Sequence, residues 1–339
     1  MPLVPGRQIL EEALKGGYGV GAFNVNNMEQ IQSIMMAARE TQSPVFIQAS
    51  RGALKYSNLV YLRHLMLAAA EENPDIPMAM HLDHGNNLDS AKTAVGLGFT
   101  SVMIDGSLKE DAKTPTTYDE NVEVTKKVVD YCHQYGVSVE GEIGTLGGIE
   151  DGVGSGQIHL TDPVQAAQFI KDTGVDYLAL AIGTSHGAYK FKAAPKLAIE
   201  IVTKVRELVG NVPMVMHGSS SVPKELVDEV NQYGGKMPNA MGVPIASIQE
   251  GIRSGVAKIN VDTDGRLAIT GAIRKVFATE PQKFDPREYL TPAREAHAKV
   301  VAERMRQFGA AGHAKDYKPM SLDENKAFYL SKSKAGASK

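Results

Sequence analysis

Three histidines in this sequence are each followed directly by a glycine: His84, His186 and His217. Each comes shortly after a short apolar run, and the three lie far apart along the chain. Catalytic zinc commonly takes three protein ligands and keeps a fourth position open, and a glycine lets backbone come close to a ligand. The shared pattern therefore predicts one metal site, although a single histidine is more often structural.

Carboxylates follow apolar runs in the same way. Asp83 adjoins His84, which suits proton transfer to a molecule bound at the metal. The alternative for Asp83 is that it fixes the tautomer of a histidine. Asp105 and Glu142 end two other runs, and either could hold a displaced metal or orient its ligands. The sequence thus predicts acid and base groups beside a bound cation.

The segment 145–156 is too rich in glycine for regular structure. One interpretation is a lid that carries Glu150 or Asp151 into the site as a base. The alternative is a flexible surface loop with no part in the chemistry.

Glycines and serines after the apolar runs at 177–182 and 213–216, together with the turn after the run at 257–261, resemble a phosphate cradle, in which backbone N–H groups bind an anion. The residues concerned are Gly183, Gly187, Gly218, Ser219 and Ser220. Positive charge for the same anion could come from Lys190, Arg266 and Arg287. The alternative for each of these three residues is an ordinary position on the surface, with no part in binding the anion.

Eight short apolar runs alternate with segments of helical spacing, and these elements must position the polar residues. The runs cover 18–25, 44–49, 78–82, 101–104, 137–143, 177–182, 213–216 and 257–261. The alternation predicts a (β/α)8 TIM barrel, in which chemistry lies at the C-terminal ends of the strands. A doubly wound open sheet is the main competitor. The glycines between residues 17 and 21 lie inside a strand and open no helix, which disfavours that alternative.

Additional helices are predicted after the eighth strand, at 267–277 and 286–308. We expect one catalytic domain, residues 1–309, that includes these C-terminal helices. Residues 310–339 are expected to form a partly flexible arm or tail.

Composition excludes several classes of protein. The 339 residues include 36 Lys and Arg against 39 Asp and Glu, a net charge of −3 that argues against binding nucleic acid. The single cysteine, Cys132, cannot form an internal disulfide, which favours a reducing, cytoplasmic location. No apolar run approaches the length needed to span a membrane.

Five motifs together resemble class II, metal-dependent fructose-1,6-bisphosphate aldolases. They are HLDHG at 81–85, VEGEIGTLGG at 139–148, AIGTSHGAYK at 181–190, HGSSS at 217–221 and KINVDTD at 258–264. The long C-terminal region is most similar to the subtype associated with the Calvin cycle. The resemblance runs over most of the chain, and the joint set of motifs is highly specific.

The resemblance implies roles for individual residues. The Zn²⁺ ligands would be His84, His186 and His217, with Asp105 and Glu142 at an alternative, second divalent position. Asp83 would exchange the proton of the C4 hydroxyl. Glu150 would exchange the proton at C3, with Asp151 as the rival because Ile149 stands where some members have an acid.

Substrate contacts are implied in the same way. The dihydroxyacetone phosphate end would be bound by Gly187, Gly218, Ser220, Asp262 and Thr263, with Asn260 near the enediolate. A monovalent cation, K⁺ or Na⁺, would lie near the backbone of Gly187 and Gly218. Asn24 and Ser50 would face the other half of the substrate. Either Arg266 or Arg287 would reach a neighbouring site in a homodimer or homotetramer.

The implied activity is reversible cleavage of fructose 1,6-bisphosphate into dihydroxyacetone phosphate and glyceraldehyde 3-phosphate. Tagatose 1,6-bisphosphate, which differs at C4, is the alternative substrate. A non-catalytic metal-binding barrel would have lost a ligand or an acid, and all are present. A Schiff-base lysine is disfavoured, because Lys258 begins its strand and Lys190 lies well past strand six.

Overall fold

The computed structural model describes residues 3–109, 114–145, 159–188 and 196–337. Eight parallel strands pair in chain order, and the last pairs with the first, so the sheet closes into a barrel. The strands are β1 Val20–Asn24, β2 Val45–Ser50, β3 Met78–Gly85, β4 Ser101–Ile104, β5 Ser138–Ile143, β6 Tyr177–Leu180, β7 Met214–Met216 and β8 Val256–Val261. The predicted (β/α)8 barrel is confirmed.

Helices cover the outside of the barrel and continue after β8. They are α1 Gly6–Gly16, α2 Met28–Thr41, α3 Arg51–Ser57, α4 Leu59–Glu72, α5 Leu88–Gly96, α6 Tyr118–Cys132, α7 Pro163–Thr173, α8 Ile199–Val209, α9 Lys224–Gln232, α10 Ile245–Ser254, α11 Thr263–Thr279, α12 Pro286–Gln307 and α13 Leu322–Ala337. In the described part of the chain, no helix is long and apolar enough to cross a membrane.

Local capping explains why a helix such as α7 begins and ends where the sequence predicts. Asp162 accepts a hydrogen bond from the Gln165 backbone, Pro163 takes the first turn, and Gly174 ends the helix with φ of 75°. A side-chain acceptor satisfies a free N–H at the start, and glycine adopts the left-handed conformation at the end without steric cost.

The sequence patterns do not predict three of the helices: α1, α3 and α13. Helix α3 follows β2 without a loop, so no turn residues mark its start, and Ser50 caps it by accepting from the Ala53 backbone. Helix α13 has almost no apolar stripe in its sequence and depends on tertiary contacts instead. It lies within the segment 310–339, and the division of the chain after residue 309 stays a prediction.

Contacts between α13 and the first helix hold the C-terminal segment in place. Asn325 is fully buried, and its Oδ1 accepts from the Arg7 guanidinium at 2.8 Å. The same guanidinium lies over the Phe328 ring at 3.7 Å. Asn325 Nδ2 donates to the carbonyl of Gly136, just before β5 begins, at 2.8 Å. These contacts dock α13 at the N-terminal side of the barrel, away from the end that carries chemistry in this fold.

Alternate strand positions face opposite sides, and the two faces differ in chemistry. Outward positions such as Ile47, Met80 and Val139 join one large apolar cluster under the helices. Inward positions near the strand starts, such as Phe46 and Tyr177, form a second apolar cluster. Towards the strand ends the inward positions become polar. The buried polar residues along and just after the strands include Asn24, Gln48, Ser50, His81, Asp83, Asp105, Glu140, Glu142, His217, Lys258 and Asn260.

Helices α11 and α12 hold the loops beyond β7 and β8. Asp264 accepts the backbone N–H groups of Ser221 and Val222 at 3.2 and 2.8 Å and pairs with Arg304 of α12 at 2.9 Å. On α12, His297 is buried and its Nδ1 lies 2.5 Å from the Ser33 hydroxyl of α2. Burial lowers the pKa of His297 to about 4.

This lowered pKa predicts a loss of stability in mild acid. Below pH 6.5 the unfolded chain protonates His297 more readily than the folded one does, so stability falls as the pH drops from 6.5 towards 4. Between pH 7 and pH 5 the contribution is about 2 kcal/mol. We expect the free energy of unfolding in urea to fall less over this interval in His297→Gln than in the unsubstituted protein.

The matched control is His64→Gln, because His64 is exposed. It should keep the full pH dependence. An equal fall in stability for His297→Gln and the unsubstituted protein would contradict the assignment.

Candidate metal centre and active site

The three histidine-glycine pairs meet at the C-terminal end of the barrel. His84 lies at the end of β3, His217 follows β7, and His186 lies in the loop after β6. One ligand atom from each lies within 4.8 Å of the others, and all three side chains are buried. His84 Nε2 and His217 Nδ1 are 3.2 Å apart. The structure therefore brings together the three residues that share the histidine-glycine pattern.

An unusual backbone conformation aims His84. Its φ of 51° lies in the left-handed region, which is uncommon for a residue with a side chain. The Arg51 Nε donates to the His84 carbonyl at 3.0 Å, and the His84 N–H points to Met103 Sδ at 3.4 Å. The β3–β4 register also shifts between Leu82 and Gly85. These contacts stabilise a conformation that the local sequence does not favour.

A second possible ligand group shares His84. One ligand atom each from His84, Asp105 and Glu142 also lie within 4.8 Å of one another. Asp105 Oδ2 is 3.5 Å from His84 Nδ1, and Asp105 Oδ1 accepts the Ser107 hydroxyl at 2.6 Å. Burial and the nearby Asp105 carboxylate raise the pKa of Glu142 well above its usual value. The arrangement could hold a cation or orient His84.

The charges around His84 favour a cation at this point. Burial alone would lower the pKa of His84, but Asp83, Asp105 and Glu142 outweigh it and raise that pKa to about 10. A positive charge is thus stabilised between the carboxylates. A divalent ion held by imidazole nitrogens would supply the same charge.

Asp83 is held by a set of side-chain amides. Asn24 Nδ2 donates to Oδ2 at 2.9 Å, Gln48 Nε2 lies 3.3 Å from the same oxygen, and Asn260 Nδ2 lies 3.4 Å from Oδ1. Burial opposes ionisation, but His84, His217, Lys258 and the bond from Asn24 lower the pKa of Asp83 overall. The side chain is an oriented carboxylate beside the histidines, Oδ1 being 3.9 Å from His84 Nε2.

Three buried serines, Ser50, Ser219 and Ser220, lie close to Asp83 or follow His217. Ser50 is buried and pairs in register with Asp83 across β2 and β3. On the other side, Ser220 ties the loops after β7 and β8 together, because its hydroxyl accepts the N–H groups of Asp262 and Thr263, each at 3.1 Å. The Ser219 hydroxyl donates to the carbonyls of residues 216 and 217.

The remaining predicted residues occupy different places. Arg266 pairs with Asp262 at 2.5 Å, beside the site. Arg287 lies at the start of α12, pairs with Asp285 and is 88% exposed, so the structure does not bring it to this cluster. Gly183 and Gly187 have positive φ in the loop that carries His186. Glu150, Asp151 and Lys190 lie outside the described residues.

The sequence patterns predict no role at the metal centre for several residues that contact it. Gln48, Glu140 and Lys258 are fully buried among its side chains, and Arg51 bonds to the His84 backbone. The sequence signal for Gln48, Glu140 and Lys258 is a polar side chain within an otherwise apolar strand. Such a side chain needs a hydrogen-bond partner when it faces the barrel interior, which indicates a contact with other polar residues there.

The family model described as fructose-bisphosphate aldolase class-II matches residues 4–313. The chain belongs to this family. The predicted family and enzyme class, a lyase that cleaves a carbon–carbon bond, are confirmed.

Known proteins that are similar to this class II aldolase are also named aldolases. A fructose-bisphosphate aldolase of Giardia intestinalis is 58% identical over 97% of this chain and 100% of its own length. One from the cyanobacterium Nostoc commune is 51% identical over 97% of this chain and 96% of its own, which fits the predicted Calvin-cycle subtype. The YdjI aldolase structure from Escherichia coli K12 is 30% identical, with a TM-score of 0.74, over 92% of this chain and 100% of that one.

The backbone beside His217 yields a prediction about Gly218. Its φ is 59°, and an added Cβ would lie 2.6 Å from the Ser185 carbonyl oxygen. We expect Gly218→Ala to lower the free energy of unfolding by more than the roughly 1–2 kcal/mol of a left-handed alanine. It should also weaken binding of a divalent metal, because the clash moves the loops that carry His186 and His217.

Gly98→Ala is the matched control, since Gly98 has φ of 87° and open space around an added Cβ. It should lose stability and keep its metal affinity, measured by competition with a chelating dye. Equal metal affinity in the two variants would contradict the prediction.

Proposed function

We propose that this class II aldolase reversibly cleaves fructose 1,6-bisphosphate into dihydroxyacetone phosphate and glyceraldehyde 3-phosphate with Zn²⁺ as its cofactor. The observation that carries the proposal is the convergence of three buried imidazoles beside one oriented carboxylate, Asp83. Family membership supports the same reaction.

The donor set fits zinc. Zinc–nitrogen bonds of about 2.0–2.1 Å in a tetrahedron place ligand nitrogens about 3.4 Å apart. The 3.2 Å between His84 Nε2 and His217 Nδ1 is close to that separation. Imidazole ligands suit zinc better than magnesium or calcium, which favour oxygen. When bound, the ion supplies a Lewis acid for negative charge that develops on the substrate's oxygens.

Asp83 acts on the C4 hydroxyl. Its lowered pKa keeps it ionised at neutral pH, so it can accept the hydroxyl proton as the C3–C4 bond breaks. The amides of Asn24 and Gln48 hold one carboxylate oxygen in place. Glu150, or its rival Asp151, then exchanges the proton at C3.

The phosphate of the dihydroxyacetone end binds at the loops after β6, β7 and β8. The residues assigned to it are Gly187, Lys190, Gly218, Ser219, Ser220, Asp262 and Thr263. Asn260, whose Nδ2 lies 3.2 Å from His217 Nδ1, faces the enediolate. A monovalent cation binds the backbone of Gly187 and Gly218.

Asn24 and Ser50 face the other half of the sugar bisphosphate. Asp105 and Glu142 form the second divalent position, which shares His84 with the first. The protein works in the cytoplasm as a homodimer or homotetramer, and Arg266 or Arg287 reaches a neighbouring site.

Metal removal tests the cofactor. Cleavage of fructose 1,6-bisphosphate by the purified protein should stop after treatment with EDTA and return when zinc is added, because the bound ion would stabilise the negative charge that bond cleavage leaves on the substrate. Triose phosphate release in a coupled assay is the measurement. Activity that persists in a protein shown by metal analysis to be zinc-free would contradict the proposal. Faster cleavage of tagatose 1,6-bisphosphate would reassign the substrate.

Substitution tests the base. Asp83→Ala should lower the rate of cleavage by roughly 10²–10⁴-fold and keep one zinc per chain, because Asp83 moves a proton and is not among the three imidazole ligands. Asp89→Asn, at an exposed aspartate on α5, is the control and should behave like the unsubstituted protein. Cleavage at the normal rate by Asp83→Ala would rule out this role.

A further inference from the structure

An ion pair lies inside the barrel, beneath the histidine cluster. Glu140 on β5 and Lys258 on β8 are both fully buried, and Lys258 Nζ lies 2.8 Å from Glu140 Oε2. Neither residue has a role in the proposed reaction. Taking two charges out of water is costly, so this pair needs a reason beyond its own attraction.

The other oxygen of Glu140 contacts a proposed metal ligand. His217 Nε2 lies 2.7 Å from Glu140 Oε1. An ionised carboxylate only accepts hydrogen bonds, so Nε2 is the nitrogen that carries the proton. The lone pair of Nδ1 is then directed at the cluster, where His84 Nε2 lies at 3.2 Å.

Lys258 also contacts His81, which in turn contacts Ser101. Its Nζ lies 3.2 Å from His81 Nε2, and His81 Nδ1 lies 2.5 Å from the Ser101 hydroxyl. Because the ammonium group only donates, His81 accepts through Nε2 and donates through Nδ1. Ser101 also bonds to the Tyr177 hydroxyl. This chain of contacts holds Lys258 in one position, and Lys258 in turn fixes Glu140.

We propose that Glu140 is a positioning residue for the metal site: it selects the tautomer and ring orientation of His217, and Lys258 compensates its charge. A carboxylate on the far nitrogen of a metal-bound histidine commonly orients the ring and strengthens the ligand. The inference rests on the metal site of the proposed function. It assigns metal binding by His217 to Nδ1.

A purely structural ion pair would behave differently. Replacing a buried pair by apolar residues of similar volume is often neutral or stabilising, whereas removing one partner leaves an uncompensated charge. Neutral double substitutions therefore separate the two roles. Glu140→Gln with Lys258→Met keeps an acceptor for His217, and Glu140→Leu with Lys258→Met removes it.

The test compares zinc dissociation constants of the two double variants and the unsubstituted protein, by competition with a chelating dye. We expect the Leu/Met variant to bind zinc about 10–100-fold more weakly than the Gln/Met variant. If the two double variants bind zinc equally well and the unsubstituted protein also binds zinc, the role of Glu140 is overturned but the proposed metal site is not. An unsubstituted protein that binds no zinc would overturn the proposed metal site and this inference with it.

A second measurement needs no variant of the pair. In zinc-loaded protein labelled with ¹⁵N-histidine, the resonances of His217 should show a proton on Nε2 and metal on Nδ1. His217 bound through Nε2 would overturn the proposal.

Discussion

The interior of the barrel imposes one constraint on the site at its C-terminal end. Inward polar side chains are removed from water and must find partners within the protein. Among the buried acidic residues, Asp83, Asp105, Glu140 and Glu142 lie on or just after β3, β4 and β5, towards the C-terminal end of the barrel. Lys258 supplies an ammonium group at an inward strand position, and it pairs with Glu140. Asp83 and Asp105, whose pKa values are lowered, lie beside His84 and explain why a positive charge is stabilised at the histidines.

Each carboxylate is stabilised by a different neighbour. Asp83 receives amide donors, Asp105 receives the Ser107 hydroxyl, and Glu140 receives His217 and Lys258. Glu142 is the exception, because burial and Asp105 raise its pKa. The site therefore combines a carboxylate held by amides, a carboxylate in contact with His217 and Lys258, and a group that resists ionisation, and the environment of each residue sets these differences.

The fold could be predicted well from the sequence because the pattern is strong and local. Each apolar run is buried between the barrel interior and the helices, so its bounds follow from composition and turn residues. The predicted strand 101–104 matches β4, whereas the predicted run 78–82 stops short of Gly85. The apolar run ends in the sequence because Asp83 and His84 are polar. The strand itself continues to Gly85 because Gly85 pairs with Ile104 of β4 after a shift in register, and the local sequence does not encode this pairing.

The sequence by itself determined the order of strands and helices, the family motifs and the residue types available for chemistry. Tertiary structure decided which of those residues meet. Gln48 meets Asp83 through the pairing of neighbouring strands β2 and β3. Lys258 on β8 reaches Glu140 on β5 only because the sheet closes into a barrel. Local sequence encodes backbone preference and burial, but contact between distant side chains depends on strand register, which the whole barrel sets.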